Sequence, residues 1–136
     1  MPNLSEVILK NENDNKLVTI GSNTLYLGQD NVLYFELNGD IGEKEALALK
    51  EACVCVEEKL ITNVGVLVDI NNSAKTSQEA KKIFKEMAEM KRVDKVVLIG
   101  LHPVARVLAS FFIGFTKNKK MRFYRTKEEA LLWLKE

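Results

Sequence analysis

Hydrophobic and polar residues alternate in the first third of the chain, and this period of two predicts three short strands. The strands are expected at Leu17–Ile20, Thr24–Leu27 and Val32–Leu37. Turn-forming segments that begin with Gly21 and Gly28 separate them. The pattern therefore predicts an antiparallel meander at the start of the fold, in which the third strand has one strongly apolar face.

Beyond residue 42 the hydrophobic spacing changes to three and four, which is typical of amphipathic helices. A helix is predicted over residues 42–60, a second over 76–92 with a Thr76–Glu79 capping box, a third from Pro103, and a fourth after a Thr126–Glu129 capping box. The intervening strands are expected at Val64–Val68, Val96–Ile99 and Met121–Tyr124.

The resulting order βββαβαβαβα belongs to the α/β class. Because strands alternate with helices in the second half, the later strands of the mixed sheet should be parallel, with four helices packed against it. The chain has 136 residues, of which 46% are hydrophobic, and this composition fits one domain spanning residues 1–136.

The sequence predicts a cytoplasmic protein with reduced cysteines. The N-terminus lacks the basic and apolar stretches of a secretory signal, and the apolar run Leu101–Thr116 is too short to span a bilayer. Cys53 and Cys55 lie two residues apart in a predicted helix, so they point in different directions and neither a disulfide nor a shared metal is expected.

Charge is distributed unevenly along the chain. Residues 1–72 contain 5 Lys and 12 acidic residues, whereas residues 73–136 contain 15 basic and 7 acidic residues. An anionic membrane or a phosphate group would suit the basic cluster, although solvation or pairing with the acidic half would also explain it. No nucleic-acid-binding motif accompanies it, so nucleic acid is not expected. The cluster comprises Arg106, Lys117, Lys119, Lys120, Arg122 and Arg125.

The helix predicted from Pro103 has an unusually wide apolar surface. At 100° per residue its hydrophobic residues form two bands about 120° apart, which exceeds the arc that one core contact needs. Neighbouring helices, a homodimer, a membrane or a hydrophobic ligand could cover the second band. The residues predicted to bind a ligand or form an interface are Leu108, Phe111, Phe112, Ile113 and Phe115.

A polar rim is expected where the parallel strands end, because ligands of open α/β sheets bind beyond the carboxyl ends of the strands. This rim could hold a small anion, or its residues could serve only as turns and helix caps. It contains Asn71, Asn72, Ser73, His102 and Arg125.

An enzymatic interpretation would combine Ser73, His102 and Asp69 as nucleophile, base and orienting carboxylate. Ser73 lacks the glycine-flanked elbow of a hydrolase, and His102 precedes Pro103 as helix-start residues often do. Glycine-rich phosphate loops, dinucleotide fingerprints and metal-ligand spacings are absent from the sequence. We therefore expect no catalytic residues, no metal and no cofactor.

Three segments resemble the STAS fold of the anti-sigma-factor antagonists, and particularly the SpoIIAA-like family, whose architecture is also likened to CRAL-TRIO lipid-transfer domains. They are residues 33–40, 66–70 and 96–134. In antagonists that switch by phosphorylation, an Asp-Ser-Ser/Thr-Gly stretch precedes the second helix. Here the matching Asp and Gly are absent from Asn71–Ser77. Thr76 and Ser77 are the candidate switch residues, and a simple helix cap is the alternative.

These observations lead to two functional hypotheses. The first is a non-catalytic STAS-like domain that binds a hydrophobic or lipid-like small molecule, with peripheral membrane association through the helix predicted from Pro103. The alternative is a regulatory protein-interaction module that binds a protein partner, or a second copy of itself, through the same helix or through the start of the second helix.

Overall fold

The computed structural model describes residues 8–12, 15–103, 106 and 120–136, and it describes the side chains of residues 19–103, 106 and 121–136. The strands are β1 (Ile8–Glu12), β2 (Asn15–Ile20), β3 (Asn23–Leu27), β4 (Val32–Ile41), β5 (Val64–Thr76), β6 (Val93–Ile99) and β7 (Lys120–Tyr124). The helices are α1 (Glu43–Glu57), α2 (Gln78–Ala88) and, after β7, α3 (Lys127–Leu134).

All seven strands form one sheet in the order β1-β2-β3-β4-β5-β6-β7. The first four strands are antiparallel, and β4 to β7 are parallel.

Gly28 illustrates why the hairpin turns need particular residues: a Cβ there would come within 2.8 Å of the Tyr34 ring. Asn31 completes the same turn with a φ of 63°, a conformation that asparagine tolerates better than most residues.

Both faces of the sheet are covered by hydrophobic cores. Successive side chains of a strand point to opposite faces, so a single strand can contribute to both cores. In β4, Leu33 and Phe35 join the larger core beneath α1 and α2, whereas Tyr34 packs on the opposite face with Trp133 of α3. The alternation predicted from the sequence is therefore confirmed. On the first face, a salt bridge of 2.9 Å between Lys50 and Glu86 also links α1 to α2.

The predicted α/β class and the mixed sheet with parallel later strands are confirmed, and some details differ. The sheet contains an additional strand, β1, that the alternation did not predict. Strand β5 continues to Thr76, eight residues beyond its predicted end. Four helices were predicted to pack against the sheet, and the structure describes three of them. Most of the helix predicted from Pro103 lies outside the described residues. Pro103 and Arg106 themselves are helical.

The helix starts show which capping predictions are correct. Thr126 caps α3 as predicted, since its Oγ accepts a hydrogen bond from the Glu129 backbone amide at 3.3 Å. The capping prediction for Thr76 is wrong, because Thr76 is the last residue of β5 and Ser77 caps α2 instead. The cap lies one residue later than expected because β5 remains paired with β4 up to Thr76.

Candidate functional site

Strand β5 extends beyond its neighbour β6 at the carboxyl end of the sheet. It pairs with β6 only as far as Asp69, which lies opposite Ile99, but with β4 as far as Thr76. The last residues of β4 and β5 therefore form a two-stranded extension of the sheet, which we call the β4–β5 ribbon (residues 38–41 and 71–76).

Hydrogen bonds hold the β4–β5 ribbon in place. The Asp40 carboxylate accepts from the Lys75 backbone amide at 3.0 Å, and the Ile41 carbonyl accepts from the Ser77 amide at 2.9 Å. Despite this order, much of the ribbon is exposed to solvent. The exposed residues are Gly39, Asp40, Asn72, Ala74 and Lys75.

The two candidate switch residues lie where the ribbon joins α2, and their environments differ. Ser77 Oγ accepts a hydrogen bond from the Ala80 backbone amide at 3.0 Å, so this hydroxyl supplies the cap of α2. Thr76 lies opposite Ile41 in the ribbon. Both residues are half-buried. Of the two candidate switch residues, only Ser77 therefore fits the alternative interpretation as a helix cap.

Asn71 connects the ribbon to the segment that follows β6. Its side-chain oxygen accepts from the Leu101 backbone amide at 2.8 Å, and its side-chain nitrogen donates to Asp69 Oδ1 at 2.9 Å. The same Asp69 oxygen also accepts from the Asn71 backbone amide at 2.9 Å. Asn71 thus fixes the positions of two neighbouring strand ends relative to each other.

A pocket of about 410 Å³ lies beyond the carboxyl ends of β6 and β7. Residues 100–103 form one side of this basic pocket, Phe123 contributes an aromatic wall, and Arg106 and Arg125 add two guanidinium groups. His102 belongs to the first side. The backbone amide of Gly100 donates to the Tyr124 carbonyl at 3.2 Å, which ties the pocket to the sheet.

The predicted polar rim is divided between these two places. His102 and Arg125 line the basic pocket, whereas Asn71, Asn72 and Ser73 belong to β5 and to the ribbon. The interpretation of these three as loop residues is wrong, because β5 continues through them. Ser73 Oγ is buried and has no hydrogen-bond partner among the described residues.

The three residues of the enzymatic interpretation are not joined by hydrogen bonds within the described part of the chain. Both described hydrogen bonds of the Asp69 side chain come from Asn71. His102 is exposed beside the basic pocket, and Ser73 Oγ has no described partner. This arrangement provides neither an activated nucleophile nor an oriented base.

Members of the predicted basic cluster occupy different surfaces. Arg122 lies on the α3 side of β7, where its guanidinium is 5.3 Å from the centre of the Trp133 ring, while Arg106 and Arg125 line the basic pocket. Lys117, Lys119 and the side chain of Lys120 lie outside the described part. So do all five predicted ligand-binding or interface residues, Leu108, Phe111, Phe112, Ile113 and Phe115.

An apolar cavity of about 60 Å³ lies between the sheet and the first two helices. Its lining includes Cys53, Phe84 and Met121. Pockets for drug-sized molecules measure roughly 300–1,000 Å³, so this cavity is small for a lipid chain. Neither this cavity nor the contribution of Phe123 to the basic pocket is predictable from the sequence, because both depend on contacts between distant segments.

Comparison with known families supplies the family assignment. Residues 26–136 match the model of the family described as a domain of unknown function, DUF7793. The chain belongs to this family. The comparison with curated proteins finds no match.

Solved structures share the fold at low sequence identity. An uncharacterised DUF3478 protein with a SpoIIAA-like fold from Shewanella loihica PV-4 has a TM-score of 0.61 and 17% identity, covering 94% of this chain and 91% of that one. The anti-sigma factor antagonist SpoIIAA in its unphosphorylated form has a TM-score of 0.59 and 11% identity, with coverages of 84% and 98%. An anti-sigma factor antagonist from Mycobacterium paratuberculosis has a TM-score of 0.62 and 20% identity, with coverages of 85% and 96%. The predicted resemblance to the SpoIIAA-like fold is thus confirmed.

Two further observations concern the described residues. No described helix has the length and apolar character needed to cross a membrane. Within the same residues, no group of three or more His, Cys, Asp or Glu side chains is arranged to hold a metal ion.

Proposed function

We propose that this protein is a non-catalytic regulatory module that binds a protein partner through the β4–β5 ribbon and the start of α2. The observation that carries the proposal is the shape of the ribbon. It extends beyond its neighbours, is held by its own hydrogen bonds and exposes a row of small and polar side chains.

The ribbon offers backbone groups as well as side chains to a partner. Residues 70–76 of β5 have no paired residues in the described part of β6. Strand edges of this kind can pair with an extended segment of another protein, in which case main-chain hydrogen bonds provide affinity and side chains provide selectivity. The exposed side chains of Asn72 and Ala74 would lie next to such a segment.

The named structural neighbours favour a regulatory role over catalysis. Two of them are anti-sigma factor antagonists, and a protein with that role acts by binding. Fold alone does not determine function, so the assignment to this chain depends on the exposed ribbon. The dispersed positions of Asp69, Ser73 and His102 support the same proposal, because catalysis would require them in contact.

Phosphorylation of Ser77 would provide one means of regulation. The hydroxyl already caps α2, and added negative charge is favourable at a helix N-terminus. The modified side chain would also place a bulky anion beside the ribbon. Thr76 is the second proposed acceptor and belongs to the ribbon itself, as the last residue of β5.

Binding of a hydrophobic or lipid-like molecule remains a prediction about the helix expected from Pro103. Its principal residues lie outside the described part of the chain, and the described apolar cavity measures only about 60 Å³. The ribbon therefore has the stronger structural support.

Affinity purification with matched variants would test the proposal. The tagged full-length protein would be compared with an Asn72→Arg/Ala74→Arg variant, which places two large cations on the exposed ribbon, and with Ile61→Arg, which changes a residue that is 90% exposed in the α1–β5 connection. We expect the wild type and Ile61→Arg to recover the same partner, and the ribbon variant to recover at least about tenfold less, which corresponds to about 1.4 kcal/mol.

The recovered partner would then be purified and its affinity for all three proteins measured by isothermal titration calorimetry. A selective loss of affinity in the ribbon variant, with unchanged circular dichroism, would support the proposal. Equal affinity of all three proteins for every partner would contradict it, as would the absence of any partner that binds the wild type directly.

A further inference from the structure

The basic pocket combines three features that the partner-binding proposal does not use. It has a volume of about 410 Å³, the described side chains that line it come from two separate chain segments, and the charged groups among them are all of one sign. A volume of this size lies within the range of pockets that hold small molecules.

The charge of the pocket favours an anion. Arg106 and Arg125 contribute permanent positive charges, and His102 adds a third nitrogen-bearing side chain. No carboxylate is among the described residues that line the pocket. Glu128 and Glu129 follow Arg125 in the chain but are not part of this lining, and the Glu129 carboxylate accepts a hydrogen bond from Thr126.

Arg125 is the residue best placed to contact a ligand. It follows the last residue of β7 and is exposed, and the structure shows no hydrogen bond or ion pair for its side chain among the described residues. Arginine binds carboxylates and phosphates through two parallel N–H donors, which gives both affinity and orientation.

The other described side chains that line the pocket are apolar. Phe123 provides an aromatic surface, and Leu101 and Pro103 provide aliphatic carbon on the opposite chain segment. Leu101 is 60% exposed, which is unusual for a large hydrophobic residue, and its backbone is fixed by Asn71. A bare inorganic anion would leave these apolar surfaces in contact with water.

We propose that the basic pocket binds a small organic anion, in which a phosphate or carboxylate group contacts Arg125 and an apolar group packs against Phe123. This site is separate from the β4–β5 ribbon and does not depend on the proposed partner. The shared chemistry would also suit the headgroup of an anionic lipid, so the experiment distinguishes a free ligand from a membrane.

Phenyl phosphate is the probe that best matches these features. Titration into the ¹⁵N-labelled full-length protein, followed by two-dimensional NMR, should shift the amides of Gly100, Leu101 and Phe123, with a dissociation constant on the order of 1 mM, as expected for a fragment-sized ligand. Inorganic phosphate should bind more weakly because it lacks the apolar group, and phenol should bind more weakly because it lacks the anion.

Two variants and a control make the result specific. Arg125→Gln should weaken the binding of phenyl phosphate about tenfold, since it removes a charge-assisted hydrogen bond, and His102→Gln provides a second variant in the pocket. Lys59→Gln removes one positive charge from an exposed position after α1, so it should bind like the wild type.

Sedimentation with phosphatidylcholine vesicles containing phosphatidylglycerol would identify the source of the anion. Binding to these vesicles that Arg125→Gln reduces at least about fivefold would show that the pocket recognises a lipid headgroup. Binding of phenyl phosphate without binding to vesicles would show that the ligand is a free small molecule. Either result supports the site.

The proposal would be overturned if phenyl phosphate at about ten times its expected dissociation constant left the pocket amides unshifted. It would also fail if Arg125→Gln and His102→Gln both bound phenyl phosphate as tightly as the wild type and the Lys59→Gln control. Equal binding of inorganic phosphate and phenyl phosphate would exclude an organic anion as the preferred ligand. None of these results would alter partner binding by the ribbon, so the two proposals can fail separately.

Discussion

The side-chain oxygen of Asn71 accepts a hydrogen bond from the backbone amide of Leu101 at 2.8 Å, although 30 residues separate them. This bond joins the point where β5 leaves β6 to the first residues of the basic pocket. Because the Asn71 side chain also donates to Asp69, a single amide group connects the ribbon with the pocket. The positions of both proposed binding surfaces therefore depend on Asn71.

Replacing Asn71 with leucine should destabilise the protein by about 1–2 kcal/mol, since a buried or half-buried amide that loses its partner costs about that much. Urea denaturation followed by the fluorescence of the single tryptophan, Trp133, would measure the change. The control Asn72→Leu alters an exposed neighbour and should change stability by less than about 0.5 kcal/mol. Equal effects of the two substitutions would contradict this role of Asn71.

Ser77→Ala should destabilise the protein by about 1 kcal/mol, because it removes the oxygen that accepts from the Ala80 amide at the start of α2. Thr76→Ala should have the smaller effect, since Thr76 does not cap the helix. Ser77→Asp is expected to retain most of the stability, because aspartate is also a good N-cap residue. Thermal denaturation of the three variants would test this order, and a larger effect at Thr76 than at Ser77 would contradict it.

Gly65→Ala should be destabilising by about 1–3 kcal/mol, since a Cβ at this position would come 3.1 Å from a methyl carbon of Leu134. The contact lies between β5 and α3, so the Leu134 side chain would have to shift by a few tenths of an ångström. Combining Gly65→Ala with Leu134→Ala should cost less than the sum of the two single changes, because the second substitution removes the obstructing methyl group. Urea denaturation of the four proteins would give the coupling free energy. If the free-energy changes of the two single substitutions simply add, α3 accommodates the new methyl group without strain.

Cys53 should be the less reactive of the two thiols. Burial, with a further contribution from Glu57, raises its pKa to about 12, whereas Cys55 is only half-buried. At about pH 8 a thiol reagent should modify Cys55 in the folded protein and both cysteines in urea. Cys55→Ala provides the control and should leave the folded protein almost unlabelled. Rapid labelling of Cys53 in that folded variant would contradict the prediction.

The raised pKa of Cys53 also predicts alkaline destabilisation. The thiol of the unfolded chain loses its proton near about pH 8.5, whereas the folded protein retains it up to about pH 12, so the unfolded state binds fewer protons in this interval and stability falls as pH rises. Burial also raises the pKa of Tyr34, assisted by its hydrogen bond to Asp30, and acts in the same direction above about pH 10. Cys53→Ala should reduce the slope of stability against pH between about pH 9 and pH 10. An unchanged slope would show that Cys53 does not contribute.

The sequence by itself determined the α/β class, the parallel later strands and most helix positions, because these follow from local hydrophobic periodicity. It also determined that Leu33 and Phe35 share one face of β4 while Tyr34 lies on the other, since alternation is a property of the strand itself. Thr126 was identified as a cap for the same reason, because the bond it makes reaches only three residues along the chain.

Only the tertiary structure decided where β5 ends, which residue caps α2, and how the polar residues after the strands divide between two surfaces. Continued pairing with β4 extends β5 through Asn71 to Thr76, and no local pattern in these residues indicates it. Strand β1 was missed because its place in the sheet depends on pairing with β2 rather than on its own alternation. The basic pocket likewise requires Arg106 and Arg125, which are 19 residues apart, to meet beyond two adjacent strands. Such contacts are settled by the pairing and packing of distant segments, whose free energy the local sequence does not contain.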